Sequence, residues 1–214
     1  MSLSRGWQRR ALRTAFFGPG KIDGVARFPA ELVPDGTIRK GETVLFPSLF
    51  ALGKYHAVAA VSRAHFLELH QFTLDLIADA FLAMRELVVS LYRQDTSPLY
   101  VTVNANCLFP AGASLMHPHV QILITSLPYT QQASLVQACH HYFVDHATAY
   151  HQDLIQSELA NAERYIAQTG AWHWLCVYAQ LGSNEILGVH ESCDDFPEFD
   201  ENDLTALADG CLKH

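Results

Sequence analysis

A long stretch with helical periodicity begins just after Thr73 and constrains the fold of this 214-residue chain more than any other feature. Apolar side chains recur there every three or four residues, the spacing that places them along one face of an α-helix. They are Leu74, Ile77, Phe81, Met84, Val88 and Leu91 or Tyr92. Thr73 is a favourable N-cap residue type, and the pattern ends near residue 93. A helix with one apolar stripe must bury that stripe, so the sequence predicts that this helix covers a sheet.

Short β-branched and aromatic segments on both sides of the helix can supply that sheet. The predicted strands cover residues 44–46, 56–61, 99–104, 120–125, 174–178 and 185–189. Residues 131–168 have a helical pattern with a break near residues 146–151, and a last helix starts at residue 204. Because strands and helices do not alternate as short β-α-β crossovers, the sequence predicts an α+β fold with a mainly antiparallel sheet.

Composition limits the classes of protein that fit. Only 17% of the residues are charged and the formal net charge is −8, whereas nucleic-acid-binding surfaces carry an excess of Lys and Arg. No apolar run has the length of a membrane span. Five widely spaced cysteines without a C-x-x-C are typical of reduced, mostly buried thiols. We therefore expect a cytoplasmic protein that binds neither nucleic acid nor membrane.

Two histidines and a glutamine stand close together where the strand at residues 120–125 begins. If that strand already starts at His117, then His117, His119 and Gln121 point to one side of the sheet. Pro118 then points to the other side, where its missing N–H suits the start of a strand. This arrangement predicts a functional site.

These side chains allow three interpretations. They could be satisfied structural residues, since twelve histidines make some proximity expected by chance. H-x-H on a strand could instead present two imidazoles to a metal ion, with His65 and Cys107 as further candidate ligands. Alternatively, an imidazole could attack phosphorus, with Gln121 and the loop at residues 112–114 donating to the phosphoryl oxygens. The chemistry of the residues leaves the second and third interpretations open.

The wider pattern resembles the active-site signature of galactose-1-phosphate uridylyltransferases, a family of the histidine-triad (HIT) superfamily. The matching residues are Asn106, then Gly112-Ala113-Ser114, then His117-Pro118-His119-Val120-Gln121. Weaker similarity covers roughly residues 42–190, including Ser62-Arg63-Ala64-His65 before the long helix. The resemblance implies a HIT-like sheet covered by that helix.

The resemblance also implies a reaction. His119 would be the nucleophile that takes a nucleotidyl group from a nucleoside diphosphate sugar, with His117 supporting it and Gln121 bonding the phosphoryl oxygens. A sugar 1-phosphate or related phosphate would then accept the group. The substrate-binding residues would be Asn106, Gly112, Ala113 and Ser114. The alternatives are a HIT-type nucleotide hydrolase or phosphorylase, and a catalytically silent nucleotide- or metal-binding module.

Zinc is the one cofactor that the resemblance brings into consideration. In many members of the family, the positions of His65 and His117 bind zinc together with two cysteines of an upstream C-x-x-C. That C-x-x-C is absent here, which argues against such a zinc site. We expect hydrogen bonds to hold His65 and His117 instead.

Family enzymes contain two related halves, and this chain is shorter than that. We expect an N-terminal arm over residues 1–40, a HIT-like catalytic domain over residues 41–168, and the start of an incomplete second half over residues 169–214. The chain would then be either truncated or a naturally short relative whose partner subunit completes the pocket. Because the family is commonly dimeric, the resemblance implies a homodimer.

Overall fold

The computed structural model describes residues 26–214 except residues 96, 98, 108, 114, 193 and 194. The chain forms two compact units, the first ending at Leu127 and the second beginning at Pro128. Each unit has its own sheet, and all described strand pairs are antiparallel. The prediction of an α+β fold with a mainly antiparallel sheet is therefore confirmed.

The first unit contains a five-stranded sheet in the order β1-β2-β3-β5-β4. Its strands are β1 (Ile38–Lys40), β2 (Thr43–Pro47), β3 (Tyr55–Ala60), β4 (Tyr100–Asn104) and β5 (His119–Thr125). β1 is the end of the predicted N-terminal arm, most of which lies outside the described residues. β5 is paired on both edges, by β3 and by β4, so its position is held from both sides.

The long helix of this unit is α1 (Leu74–Gln94), close to its predicted extent. The hydroxyl of Thr73 accepts a hydrogen bond from the backbone N–H of Leu76 at 3.4 Å, so Thr73 is the N-cap as predicted. α1 packs across β1, β2 and β3. The predicted cover of the sheet by a long helix is present.

Small residues bring α1 close to the sheet. The buried residues of the helix are Ala78, Ala80, Ala83, Met84, Leu87, Val88 and Leu91. Leu74, Ile77 and Phe81, which the periodicity also placed in the stripe, are only half-buried. The three alanines allow close approach of the helix, and this shifts its buried face away from the larger side chains near its start.

Half-buried and buried residues alternate along β5. Val120, Ile122 and Ile124 are buried in the core, whereas His119 and Gln121 lie half-buried on the opposite face. The strand begins at His119, so the condition that it already starts at His117 is not met. The preceding Pro118 has no N–H to donate, although its carbonyl still accepts from the N–H of Val61 at 3.1 Å.

The second unit contains a three-stranded sheet of β6 (Tyr165–Thr169), β7 (Trp172–Cys176) and β8 (Ile186–His190). β6 corrects the sequence prediction, which extended helical structure to residue 168. Ala162 adopts the left-handed conformation with φ of 53° and ends the preceding helix, after which the chain pairs with β7. The predicted domain boundary at residue 168 lies inside β6, whereas the compact units divide at Leu127.

Three helices accompany this sheet, namely α2 (Thr130–His146), α3 (Tyr150–Asn161) and α4 (Glu201–Lys213). α4 packs on β6 and β7, and a Cβ at Gly210 would lie only 1.8 Å from a ring carbon of Trp174. Glycine at that position therefore permits the close approach of helix and sheet.

The described cysteines correct one further expectation. Cys107, Cys139, Cys176 and Cys211 are free thiols, but Cys107, Cys176 and Cys211 are exposed rather than buried. Cys193 lies outside the described residues. Among the helices of the described part, none combines the length and the apolar character that a bilayer crossing requires.

Replacing Met84 with alanine tests how α1 is anchored. The Met84 side chain is 0% exposed, so Met84→Ala leaves a cavity and should lower the free energy of unfolding by about 2 to 5 kcal/mol. Urea denaturation measures this value. Arg93→Ala, at an exposed position of the same helix, should change it by no more than about 0.5 kcal/mol. Equal effects of the two variants would contradict the packing described here.

Candidate active site

A cavity of about 90 Å³ lies beside the first residues of β5. Much of its wall is apolar, with Val61, Leu67, Phe72 and Ile77 among the lining residues. Its polar side chains are those of Asn106, His117 and His119, and the Cys107 thiol also lines it. Three of the predicted site residues therefore surround one cavity, although they come from two separate segments of the chain.

The ring of His119 is oriented by its own backbone. Its Nδ1 atom lies 2.8 Å from the carbonyl oxygen of His117. A carbonyl oxygen can only accept, so Nδ1 carries the proton and donates it to that oxygen. In the neutral ring, Nε2 then bears the free lone pair. This is the protonation pattern that an imidazole nucleophile needs.

His117 donates from the other ring nitrogen, Nε2. Its Nε2 donates to the carbonyl oxygen of Ser62 at 2.9 Å, and its Nδ1 lies 3.3 Å from Nδ1 of His65. The two rings meet edge to face, with centroids 5.3 Å apart. Burial lowers the pKa of His117, and the nearby His65 and His119 rings lower it further, against the raising effect of the Ser62 carbonyl. His117 is therefore neutral at neutral pH.

The residues present do not fit the zinc site that the family resemblance brought into consideration. A structural zinc takes four ligands, and only two of the family's four ligand positions, His65 and His117, carry ligand side chains here. Within the described ranges, no three His, Cys, Asp or Glu side chains come together as a possible metal site. His65 and His117 thus contact each other as a hydrogen-bonded pair.

A carboxylate that the sequence did not indicate anchors the turn that holds His117. Oε2 of Glu42 accepts from the hydroxyl of Ser62 at 3.1 Å and from the backbone N–H of Arg63 at 3.0 Å. The N–H of Arg63 and the Ser62 hydroxyl lower the pKa of Glu42. Because Glu42 follows β1 in the sequence and Ser62 follows β3, only the folded sheet brings them together.

Gln121 lies on the open face of β5, two residues after His119, but it does not line the cavity. Its Oε1 atom lies 3.0 Å from Nε2 of His56 on the neighbouring strand β3. His56 is the second residue that the sequence did not indicate, because the contact depends on the pairing register of β3 and β5.

The predicted substrate-binding residues lie on the connection between β4 and β5. Asn106 is half-buried on the cavity wall. Gly112 has φ of +87°, a conformation that favours glycine, and a Cβ there would lie 3.8 Å from Nδ2 of Asn106. Ala113 is buried at 6% exposure and so presents little side-chain surface to a ligand. Ser114 lies outside the described residues.

Comparison with known proteins gives one sequence relative. No protein-family model matches the chain. An uncharacterized protein from Archaeoglobus fulgidus is 27% identical over 197 residues, which make up 92% of this chain and 58% of that protein. The chain therefore spans about three fifths of the length of this relative.

Solved structures give clearer similarity. A GalT-like protein from Arabidopsis thaliana has a TM-score of 0.68 at 17% identity, over 80% of this chain and 60% of that one. A uridylyltransferase mutant has a TM-score of 0.73 at 16% identity, over 81% and 64%. An ADP-glucose phosphorylase from Arabidopsis thaliana, solved with bound ADP-glucose, has a TM-score of 0.68 at 16% identity, over 80% and 58%.

These comparisons define the fold. The chain has the fold of the GalT-like protein and the uridylyltransferases. This confirms the fold that the family resemblance of the motif from Asn106 to Gln121 implies. At these identities the similarity establishes the fold alone, so the chemistry has to be argued from the site.

The lowered pKa of His117 predicts a pH dependence of stability. Because this pKa lies below its value in the unfolded chain, the unfolded chain takes up the proton first as the pH falls. The free energy of unfolding should therefore decrease on acidification through the ordinary histidine pKa of about 6.5. It should recover at higher pH, where both states are neutral.

His117→Gln isolates this contribution. Glutamine can still donate to the Ser62 carbonyl but cannot be protonated. Urea denaturation from about pH 8 down to about pH 5 should give a smaller loss of stability for the variant than for the wild type. The same pH dependence in both proteins would show that His117 is not buried in its neutral form.

Proposed function

We propose that the protein is a nucleotidyltransferase that carries the nucleotidyl group on His119. The observation that supports this most directly is the 2.8 Å contact between Nδ1 of His119 and the His117 carbonyl. It leaves Nε2 as the nucleophilic atom and holds the ring in one orientation. The donor would be a nucleoside diphosphate sugar, and the acceptor a sugar 1-phosphate or related phosphate.

The reaction would take place in two displacements at the α-phosphorus. Nε2 of His119 forms a bond to phosphorus, and the bond from phosphorus to the bridging oxygen breaks, so sugar 1-phosphate leaves. The ring becomes positively charged in this step, and its Nδ1–H continues to donate to the His117 carbonyl. A phosphate oxygen of the acceptor then attacks phosphorus and the N–P bond breaks, which restores neutral His119.

Donors around phosphorus would stabilise the charge that develops on its oxygens. Gln121 lies on the same strand face as His119, and Asn106 lies on the same cavity wall. Each such donor is typically worth about 10²- to 10³-fold in rate. The cavity of about 90 Å³ is smaller than the roughly 300 to 1,000 Å³ of typical ligand pockets. It would accommodate only part of a nucleotide sugar.

A phosphorylase is the second candidate. The similar ADP-glucose phosphorylase carries ADP-glucose, which supports a nucleotide sugar as the donor here but leaves the acceptor open between a sugar phosphate and inorganic phosphate. The homodimer and the cytoplasmic location stay predictions, from the family resemblance and from the cysteine pattern respectively. Zinc is not required for the proposed steps.

A covalent adduct on His119 tests the transferase. Wild-type protein incubated with UDP-glucose and, separately, with ADP-glucose should gain the mass of a nucleotidyl group, because the first displacement does not need the acceptor. His119→Ala should abolish the adduct, as measured by intact-protein mass spectrometry after a rapid quench. His70→Ala, at an exposed position of the same unit, should retain it. Absence of an adduct from both nucleotide sugars would contradict the proposal.

The identity of the acceptor distinguishes a transferase from a phosphorylase. If the protein is a transferase, galactose 1-phosphate or glucose 1-phosphate should discharge the preformed adduct to a nucleotide sugar much faster than inorganic phosphate or water does. If it is a phosphorylase, inorganic phosphate should be the faster acceptor and should yield a nucleoside diphosphate. Single-turnover product analysis with each acceptor at equal concentration distinguishes these outcomes.

A further inference from the structure

His56 is a nearly buried polar side chain next to Gln121, and the proposed reaction has not yet used it. It is 8% exposed and lies on β3 opposite Leu123 of β5. Residues that face each other across an antiparallel pair share one face of the sheet. His56 therefore lies diagonally beside Gln121, and its Nε2 reaches Oε1 of Gln121 at 3.0 Å.

The position of the proton on His56 decides what Gln121 can do. The Gln121 carboxamide has one accepting end and one donating end. If Nε2 of His56 carries a proton, it donates to Oε1, and the NH₂ group of Gln121 is free to donate elsewhere. If Nε2 is bare, Gln121 must turn its NH₂ towards His56. It would then present an oxygen, which repels phosphoryl oxygens.

The other nitrogen of His56 is also held. Nδ1 lies 2.9 Å from the carbonyl oxygen of Phe50 and 3.4 Å from the backbone nitrogen of Leu52. The Phe50 carbonyl can only accept, so Nδ1 carries a proton and donates to it. Nε2 faces Oε1 of Gln121, which also can only accept, so a hydrogen bond in this orientation of the carboxamide needs a second proton on Nε2. With Gln121 in this orientation both ring nitrogens of His56 donate, and the ring is fixed beside Gln121.

We propose that His56 is a positioning residue that donates from Nε2 to Gln121 and thereby keeps the Gln121 NH₂ group available to the phosphoryl oxygens. This inference rests on the proposed function, because it assigns Gln121 the role of donor. His56 itself touches neither the substrate nor His119. It acts on the reaction through one hydrogen bond.

A double-mutant cycle tests whether His56 acts through Gln121. Gln121→Ala should slow formation of the His119 adduct by about 10²- to 10³-fold. His56→Leu should slow it by about 10- to 100-fold, as expected for a partner that orients a site residue. The double variant should be no slower than Gln121→Ala alone. If His56→Leu slows the Gln121→Ala protein by the same factor as the wild type, the two residues are independent and the proposal is wrong.

Two further variants separate positioning from a general effect on the fold. His56→Gln places an N–H near the position of Nε2 and should restore most of the rate that His56→Leu loses. Tyr55→Phe removes a hydrogen bond to Asp95 from the neighbouring residue of the same strand and should leave the rate unchanged. A His56→Gln protein as slow as His56→Leu would overturn the proposal.

A measurement without substrate keeps this inference distinct from the proposed function. The nitrogen-15 NMR signals of His56, assigned by their loss in His56→Gln, should show a proton on Nε2. A bare Nε2 with the proton on Nδ1 alone would overturn the positioning role even if the His119 adduct forms. If no adduct forms but Nε2 is protonated, the transferase proposal fails while the His56–Gln121 hydrogen bond is supported.

Discussion

The antiparallel pairing of β3 with β5 is the constraint on which the site depends. Its register places Ala60 opposite His119 and Val58 opposite Gln121. A slip of one residue would turn both side chains into the core and bring Val120 and Ile122 to the open face. Burial of the apolar residues of β5 prevents that slip, so the hydrophobic core determines which face carries His119 and Gln121.

Backbone carbonyls, rather than carboxylates, set the states of the two histidines at the cavity. The His117 carbonyl accepts from His119, and the Ser62 carbonyl accepts from His117. A carbonyl fixes a tautomer without adding a full negative charge, which would repel a diphosphate. The nearby carboxylate of Glu42 already accepts from Ser62 and from the N–H of Arg63. The site thus orients its imidazoles without placing an unpaired anion beside the proposed substrate.

Local pattern accounts for the parts of the structure that the sequence could predict. The stripe of α1 and the alternation along residues 120–125 follow from the periods of helix and strand, so α1 and the open face of β5 were predictable. The fold was implied by the family resemblance that the motif ending at Gln121 carries. The strand β6 was not predictable, because Tyr165–Thr169 forms a strand only by pairing with β7. The His56–Gln121 contact depends on the register of two strands that are distant in sequence, which no local pattern encodes.

The two cavity histidines, His117 and His119, are close together in the sequence, but the fold gives them different surroundings. Both sit near an apolar wall, where two positive rings close together would be strongly unfavourable. Burial and its neighbours lower the pKa of His117, which keeps that ring neutral. In the proposed reaction, the positive charge that accompanies bond formation to phosphorus can then develop on His119 alone, where the His117 carbonyl accepts the Nδ1–H. The neutrality of His117 is therefore part of what suits His119 to the proposed role of nucleophile.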